Sequence, residues 1–195
     1  MINFIIGEIE DKTENSLIIN SNNMGFEIFA STNTIVCSGN IGENVKIYTY
    51  LHVKEDELSL YGFLTKEEKN MFLKLITVSG VGPKLALTVL SGLTLSELSV
   101  AIKSEDIKLL STIKGLGKKT AERISLELKD KINILGFAKA DNEVEINVNM
   151  VDEATEALVA LGLNKNEAYR LAKLNAPNSE TTEDIIRKAF QNLNA

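Results

Sequence analysis

Two seven-residue segments of this chain carry one skeleton: Gly80-Val81-Gly82-Pro83-Lys84-Leu85-Ala86 and Gly115-Leu116-Gly117-Lys118-Lys119-Thr120-Ala121. They lie 35 residues apart, and both glycines, one lysine and the alanine coincide. A glycine pair lets the backbone turn sharply and leaves N–H groups open to an oxyanion. A helix beginning at the turn adds the positive end of its dipole, and adjacent lysines add charge. The alanines let the two helices of each copy pack closely. The chemistry that fits is capture of phosphate by main-chain amides, performed twice. The residues put forward are Gly80, Val81, Gly82 and Lys84 in the first copy. Gly115, Leu116, Gly117, Lys118 and Lys119 are their counterparts in the second, and Arg123 follows within reach.

Two other readings of the glycines compete. A dinucleotide site needs a preceding strand, a third glycine and an acidic residue about twenty positions on. Here the preceding segments read as helical, and Lys84-Leu85 and Lys119-Thr120 stand where the third glycine belongs. Each pair could also be only a tight helix–helix turn, but two copies with matched lysines favour phosphate contact. Two helix-hairpin-helix elements related by a pseudo-dyad can hold both strands of a duplex across the minor groove without reading bases.

Candidates for catalysis are few. His52 and Cys37 are the lone histidine and cysteine, and no Ser/His/Asp set or metal-ligand cluster can be assembled around them. A disulfide framework is excluded, and a reducing, cytoplasmic setting is the expectation. Glu55, Asp56 and Glu57 could bind Mg²⁺ in a nuclease, and otherwise read as a solvated turn. No G-x-x-x-x-G-K-[ST] occurs, so ATP hydrolysis would belong to a partner. The expectation is a chain that is not an enzyme and takes neither cofactor nor metal.

Charge is distributed in agreement with the glycine motifs. The net charge is −6, yet residues 64–139 carry 13 Lys/Arg against 8 Asp/Glu. Residues 1–63 carry 3 against 9, and residues 140–195 carry 5 against 10. The cationic excess thus lies wholly in the segment holding both motifs. Hydrophobic residues make up 44% and charged residues 25%, as in ordinary globular domains. No apolar run approaches the ~20 residues of a membrane span, and the acidic start reads as a strand, not a signal peptide.

The elements that must position these residues follow from periodicity. Met1–Asp11, Ser16–Ser21, Gly25–Ala30, Val45–Val53 and Leu58–Phe63 read as short strands separated by turn signals. Five strands in about sixty residues suggest a small closed barrel of the OB type. From Thr65 the period becomes helical. Thr65/Glu68 and Thr94/Glu97 have capping-box spacing, and helices are expected over Pro83–Leu90, Thr94–Ile102, Ser104–Thr112 and Lys118–Leu135. Ala138–Asn149 has little bulky apolar content and reads as a flexible linker. Three further helices are expected: Asp152–Leu161, one opened by Asn164 with Glu167, and Thr182–Leu193. The fold class is α+β multidomain: an OB-fold β-barrel (1–63), an all-α tandem helix-hairpin-helix domain (64–137), a linker (138–149) and a three-helix domain (150–195).

With these motifs in order, the chain resembles the RuvA family of Holliday junction-binding subunits. The resemblance rests on HVKEDELSLYGF at His52–Phe63, SGVGPKLALTVLSG at Ser79–Gly92, GLGKKTAERI at Gly115–Ile124 and ALVALG at Ala157–Gly162. It implies a homotetramer, one or two per junction, that holds four-way DNA open. It also implies a C-terminal domain docking the hexameric RuvB ATPase for branch migration, with the RuvC resolvase a further candidate partner. Glu55 and Asp56 match the family's acidic pin, whose carboxylates would repel converging phosphates. The implied partner face of the C-terminal domain comprises Leu158, Leu161, Leu163, Tyr169 and Leu171. Lys114 stands where the family often has proline, and Leu163 where it often has an aromatic residue. A repair nuclease, or an accessory to one, using the acidic turn for metal, stays as the alternative.

Overall fold

Phe4–Lys12 (β1), Ser16–Ser21 (β2), Met24–Ala30 (β3), Asn44–Val53 (β4) and Leu58–Phe63 (β5) close into a barrel of order β1-β2-β3-β5-β4. The computed structural model describes residues 2–132, 150–176, 179 and 181–193. All neighbouring strands are antiparallel except β3 and β5, which pair in parallel at Phe29↔Tyr61 and Ala30↔Gly62. Alternation places Ile5, Ile9, Leu17, Ile19, Ile28, Ile47 and Leu60 inside. Asn22 and Asn23 both take positive φ, which matches the β2–β3 turn to the twist of the strands.

Between β3 and β4 the chain forms a short helix, Thr32–Cys37 (α1), that local sequence does not announce. Its β-branched residues are poor helix formers. Ser31 caps it by accepting from Thr34 N, and tertiary bonds add to the hold. Ser31 and Thr34 hydroxyls donate to Glu68 Oε1 at 2.9 and 2.6 Å, and Lys12 Nζ donates to Ile35 O at 2.7 Å and to Gly39 O. Asn33 Nδ2 donates to Leu90 O at 3.1 Å, tying α1 to the helices beyond the barrel.

Those helices are Lys66–Leu75 (α2), Pro83–Gly92 (α3), Leu95–Lys103 (α4), Ile107–Leu110 (α5) and Lys118–Leu128 (α6). They share one core with the barrel wall, in which Tyr61 and Phe63 of β5 meet Phe72, Leu75, Val89, Leu98, Ile102 and Ile124. Phe63 and Phe72 lie 4.8 Å apart between ring centroids. Thr94 and Glu97 form the full capping box. Thr65 caps α2, but the Glu68 carboxylate accepts from Leu64 N, Ser31 and Thr34.

Two expected helices are shorter than their periodicity suggests. The Ser104–Thr112 stretch yields only α5, because Ser104 caps α4, Glu105 takes φ +56° and Asp106 restarts the helix by accepting from Leu109 N. The α6 helix ends at Leu128, not Leu135. The expected linker, 138–149, lies outside the described residues.

The chain divides into two units, Met1–Asp141 and Asn142–Ala195. In the second, helices 150–160 (α7), Lys165–Asn175 (α8) and Thr182–Leu193 (α9) surround Val151, Ala154, Leu158, Ala168, Leu171, Ala172, Ile185 and Ala189. Gly162 stops α7 at φ +105°, and Asn164 caps α8 by accepting from Glu167 N. No single helix among the described residues is long and apolar enough to cross a membrane.

Candidate nucleic-acid interface

The sequence repeat is a repeat of hydrogen bonds. Thr77 N and Thr112 N donate to Lys74 O and Leu109 O, both at 3.1 Å. Val81 N and Leu116 N donate to Val78 O and Ile113 O, both at 3.0 Å. Ala86 N and Ala121 N close the first turns of α3 and α6 on Gly82 O and Gly117 O. Each pair is offset by the same 35 positions as the motifs. The backbone of the α2–α3 hairpin is therefore built again as α5–α6.

The two glycines of each copy do different work. Gly80 and Gly115 take φ +89° and +82°, a region that costs other residues energy, so they make the turn possible. Gly82 and Gly117 have ordinary extended φ and cap α3 and α6. A Cβ at either would meet nothing within 4 Å. Protein packing therefore does not require glycine at 82 or 117; the missing side chain leaves space outside the protein. The α1, α2, α4, α5 and α8 helices each have an N-cap side chain accepting from a backbone N–H. The α3 and α6 helices have none. The amides of Gly82, Lys84, Gly117 and Lys118 have no hydrogen-bond partner among the described residues. Uncapped N–H groups facing open space are what an anion needs.

Lys84, Lys118 and Lys119 are exposed beside these amides. Lys118 reaches Glu122 only at 3.9 Å, an exposed pair worth little. Val81 and Leu116, put forward with the glycines, turn into the core, and their amides already donate within the turn. They hold each hairpin from beneath. Arg123 donates from α6 to Ser79 O at 3.4 Å, in the other hairpin, and Leu85 of α3 lies against Gly115. This cross-bracing is absent from any linear reading, because the partners are 44 positions apart in sequence.

Glu55 and Asp56 are exposed at the β4–β5 turn, which Lys54 N closes on Glu57 O at 2.9 Å. The Ser59 hydroxyl donates to Glu57 Oε1 at 2.5 Å and holds that carboxyl below the usual range, assisted by the charges of Lys54, Lys84 and His52. Of those cations, Lys84 belongs to the first hairpin. His52 packs between Tyr50 and Tyr61 at 6.2 and 6.3 Å, as part of the wall. Cys37 ends α1, exposed. Among the described residues no group of three or more His, Cys, Asp or Glu is arranged to hold a metal.

In the second unit the five partner-face residues separate. Leu158 and Leu171 are buried in the core, Leu163 and Tyr169 pack partly against it, and Leu161 is 61% exposed. Val159, not singled out from the sequence, is also exposed. Leucines at helical spacing do not reveal which face is inward, since core and surface use the same period.

Three family models match in order: RuvA N terminal domain at residues 1–62, SAM-like Helix-hairpin-helix tandem at 72–130, and RuvA, C-terminal domain at 149–194. A protein of Acetivibrio thermocellus called Holliday junction branch migration complex subunit RuvA is 43% identical over 199 residues, covering 99% of this chain and 98% of that protein. Proteins of the same description from Clostridium botulinum (strain Loch Maree / Type A3) and Thermoanaerobacter sp. (strain X514) are 42% and 41% identical, each match covering 99% of both chains.

Proposed function

The chain belongs to the RuvA family, and from that premise we propose that it is the non-catalytic, DNA-binding subunit of a Holliday junction branch migration complex. The observation that carries this is the doubled hairpin, with two helix N-termini that lack a side-chain cap and open space at Gly82 and Gly117. Phosphates of two strands would be held by the amides of Gly82, Lys84, Gly117 and Lys118, with the side chains of Lys84, Lys118 and Lys119 supplying charge. Val81 and Leu116 would anchor the turns, and Arg123 would brace one against the other. Glu55 and Asp56 would keep phosphates out of the centre, so that an open four-way shape is preferred to a stacked one.

The finer reading continues from the family. Residues 1–63, 64–137 and 150–195 would act as barrel, DNA-binding and ATPase-docking domains joined by the linker 138–149. Four copies would surround one junction, in one or two tetramers, and load the hexameric RuvB ATPase in the cytoplasm; RuvC would meet the same complex. Leu161 and Val159 are the exposed apolar residues of α7 and its end that suit partner docking. A nuclease using the acidic turn is not favoured. Purified protein with a labelled four-way junction and Mg²⁺ decides: a shift held over linear-duplex competitor, without cleavage, supports the proposal. Strand cleavage, or equal affinity for linear duplex, overturns it.

A further inference from the structure

The acidic turn stands on an apolar rung. Val53 and Leu58 are direct cross-strand partners at the ends of β4 and β5, immediately below Lys54–Glu57. They continue the row of Leu51 and Leu60, which lie on the same strand face and pack in the barrel core. Past the barrel's end that row emerges into solvent, with Val53 63% and Leu58 72% exposed. A single exposed leucine is unremarkable, but two opposed side chains form one continuous apolar ledge.

We propose that the Val53–Leu58 rung is a wedge on which a base at the crossover stacks when it leaves its pair. This rests on the junction-binding reading above. The charges around the rung select the occupant. Glu55 and Asp56, exposed at the turn above it, would repel phosphate, which on the proposed function is held instead by Lys84 and the uncapped helix N-termini. The part of a nucleotide that can approach an apolar ledge beneath carboxylates is its uncharged base face. Apolar side chains inserted at base steps are an established way for proteins to unstack a duplex. Size argues the same way: one rung matches one base, whereas a stable protein–protein contact needs about 1,000 Å² or more.

The test uses the full chain and four-way junctions carrying 2-aminopurine at the crossover, whose fluorescence rises on unstacking. Protein is added to saturation so that affinity differences drop out. Wild type is expected to raise the signal several-fold over free junction. V53T/L58T, which keeps strand-forming residues at exposed sites, should bind and leave the signal near that of free junction. Leu58→Phe, a larger apolar surface, should restore or exceed it. Equal enhancement by wild type and V53T/L58T overturns the wedge, and so does a change of oligomeric state in that variant by native mass spectrometry, which would make the rung a contact between copies. Failure of wild type to shift the junction at all would instead overturn the junction-binding reading. Circular dichroism melting of both variants verifies that they fold.

Discussion

The hairpin of α2 and α3 and the hairpin of α5 and α6 share the hydrogen bonds of their turns, yet they are charged differently. The first opens α3 with Pro83 and carries Lys84, whose charge helps to lower the Glu57 carboxyl of the acidic turn. The second carries Lys114, Lys118 and Lys119, all exposed. On the proposed function one backbone device would serve two tasks: the second hairpin would be the stronger phosphate grip, and the first would place that grip relative to the acidic turn. Proline suits the second task, since its locked φ preorganises the first turn of the helix.

The largest expected effect follows from removing the second grip. K118A/K119A would remove two of the proposed charge-assisted phosphate contacts, about 3 kcal/mol together, so junction affinity should fall roughly a hundredfold. Each lost phosphate contact should also flatten the salt dependence by about one unit. Lys84→Ala should cost less affinity and more shape selectivity, read as the ratio of junction to linear-duplex binding. Equal losses from both variants would break the distinction between the hairpins.

The two glycines of each hairpin sharpen it further. Gly80→Ala and Gly115→Ala force an L-residue into positive φ and should each destabilise unit one by about 1–2 kcal/mol, measured by urea unfolding. Gly117→Ala meets open space at an ordinary φ, so stability should stay within about 1 kcal/mol of wild type or rise. Its methyl group would nevertheless occupy the proposed approach of the phosphate, and junction affinity should drop with the fold intact. Destabilisation by Gly117→Ala would show that the position serves packing after all.

Much of this was legible in the residues. The five strands followed from alternation and turn residues, and the matched glycines gave both hairpins with their lysines. Thr94 with Glu97 and Asn164 with Glu167 marked helix starts because a capping side chain leaves a local signature. The rest depends on contacts between distant segments. The α1 helix has a local cap in Ser31 but is also held by Glu68, 34 positions from Thr34, which accepts from its hydroxyl. Helix α5 is short because Glu105 adopts a left-handed turn that its residue type does not predict. Val81 and Leu116 resemble contact residues when flanked by glycines, yet they point inward. The exposed Val53–Leu58 rung is made by two strands together, and their register is set only on pairing.

The smallest expected effect concerns pH. Glu57 is ionised more readily than an ordinary carboxylate, first because of Ser59 and then because of neighbouring cations including Lys84. A lowered folded value favours the folded state above the ordinary carboxylate range, and that contribution is lost as pH falls through the lowered value. In Lys84→Ala the Glu57 titration, followed by NMR, should move up toward the ordinary range. An unmoved Glu57 would separate the first hairpin from the acidic turn.

The claim that two unequal hairpins grip the phosphates of a branched DNA is tested most directly by the salt dependence of four-way-junction affinity. Wild type and K118A/K119A would be compared with Mg²⁺ present and linear duplex as competitor. The expected result is uncleaved junction, a steep wild-type slope and a slope shallower by about two units in the variant. Identical slopes, or cleaved junction, would contradict it.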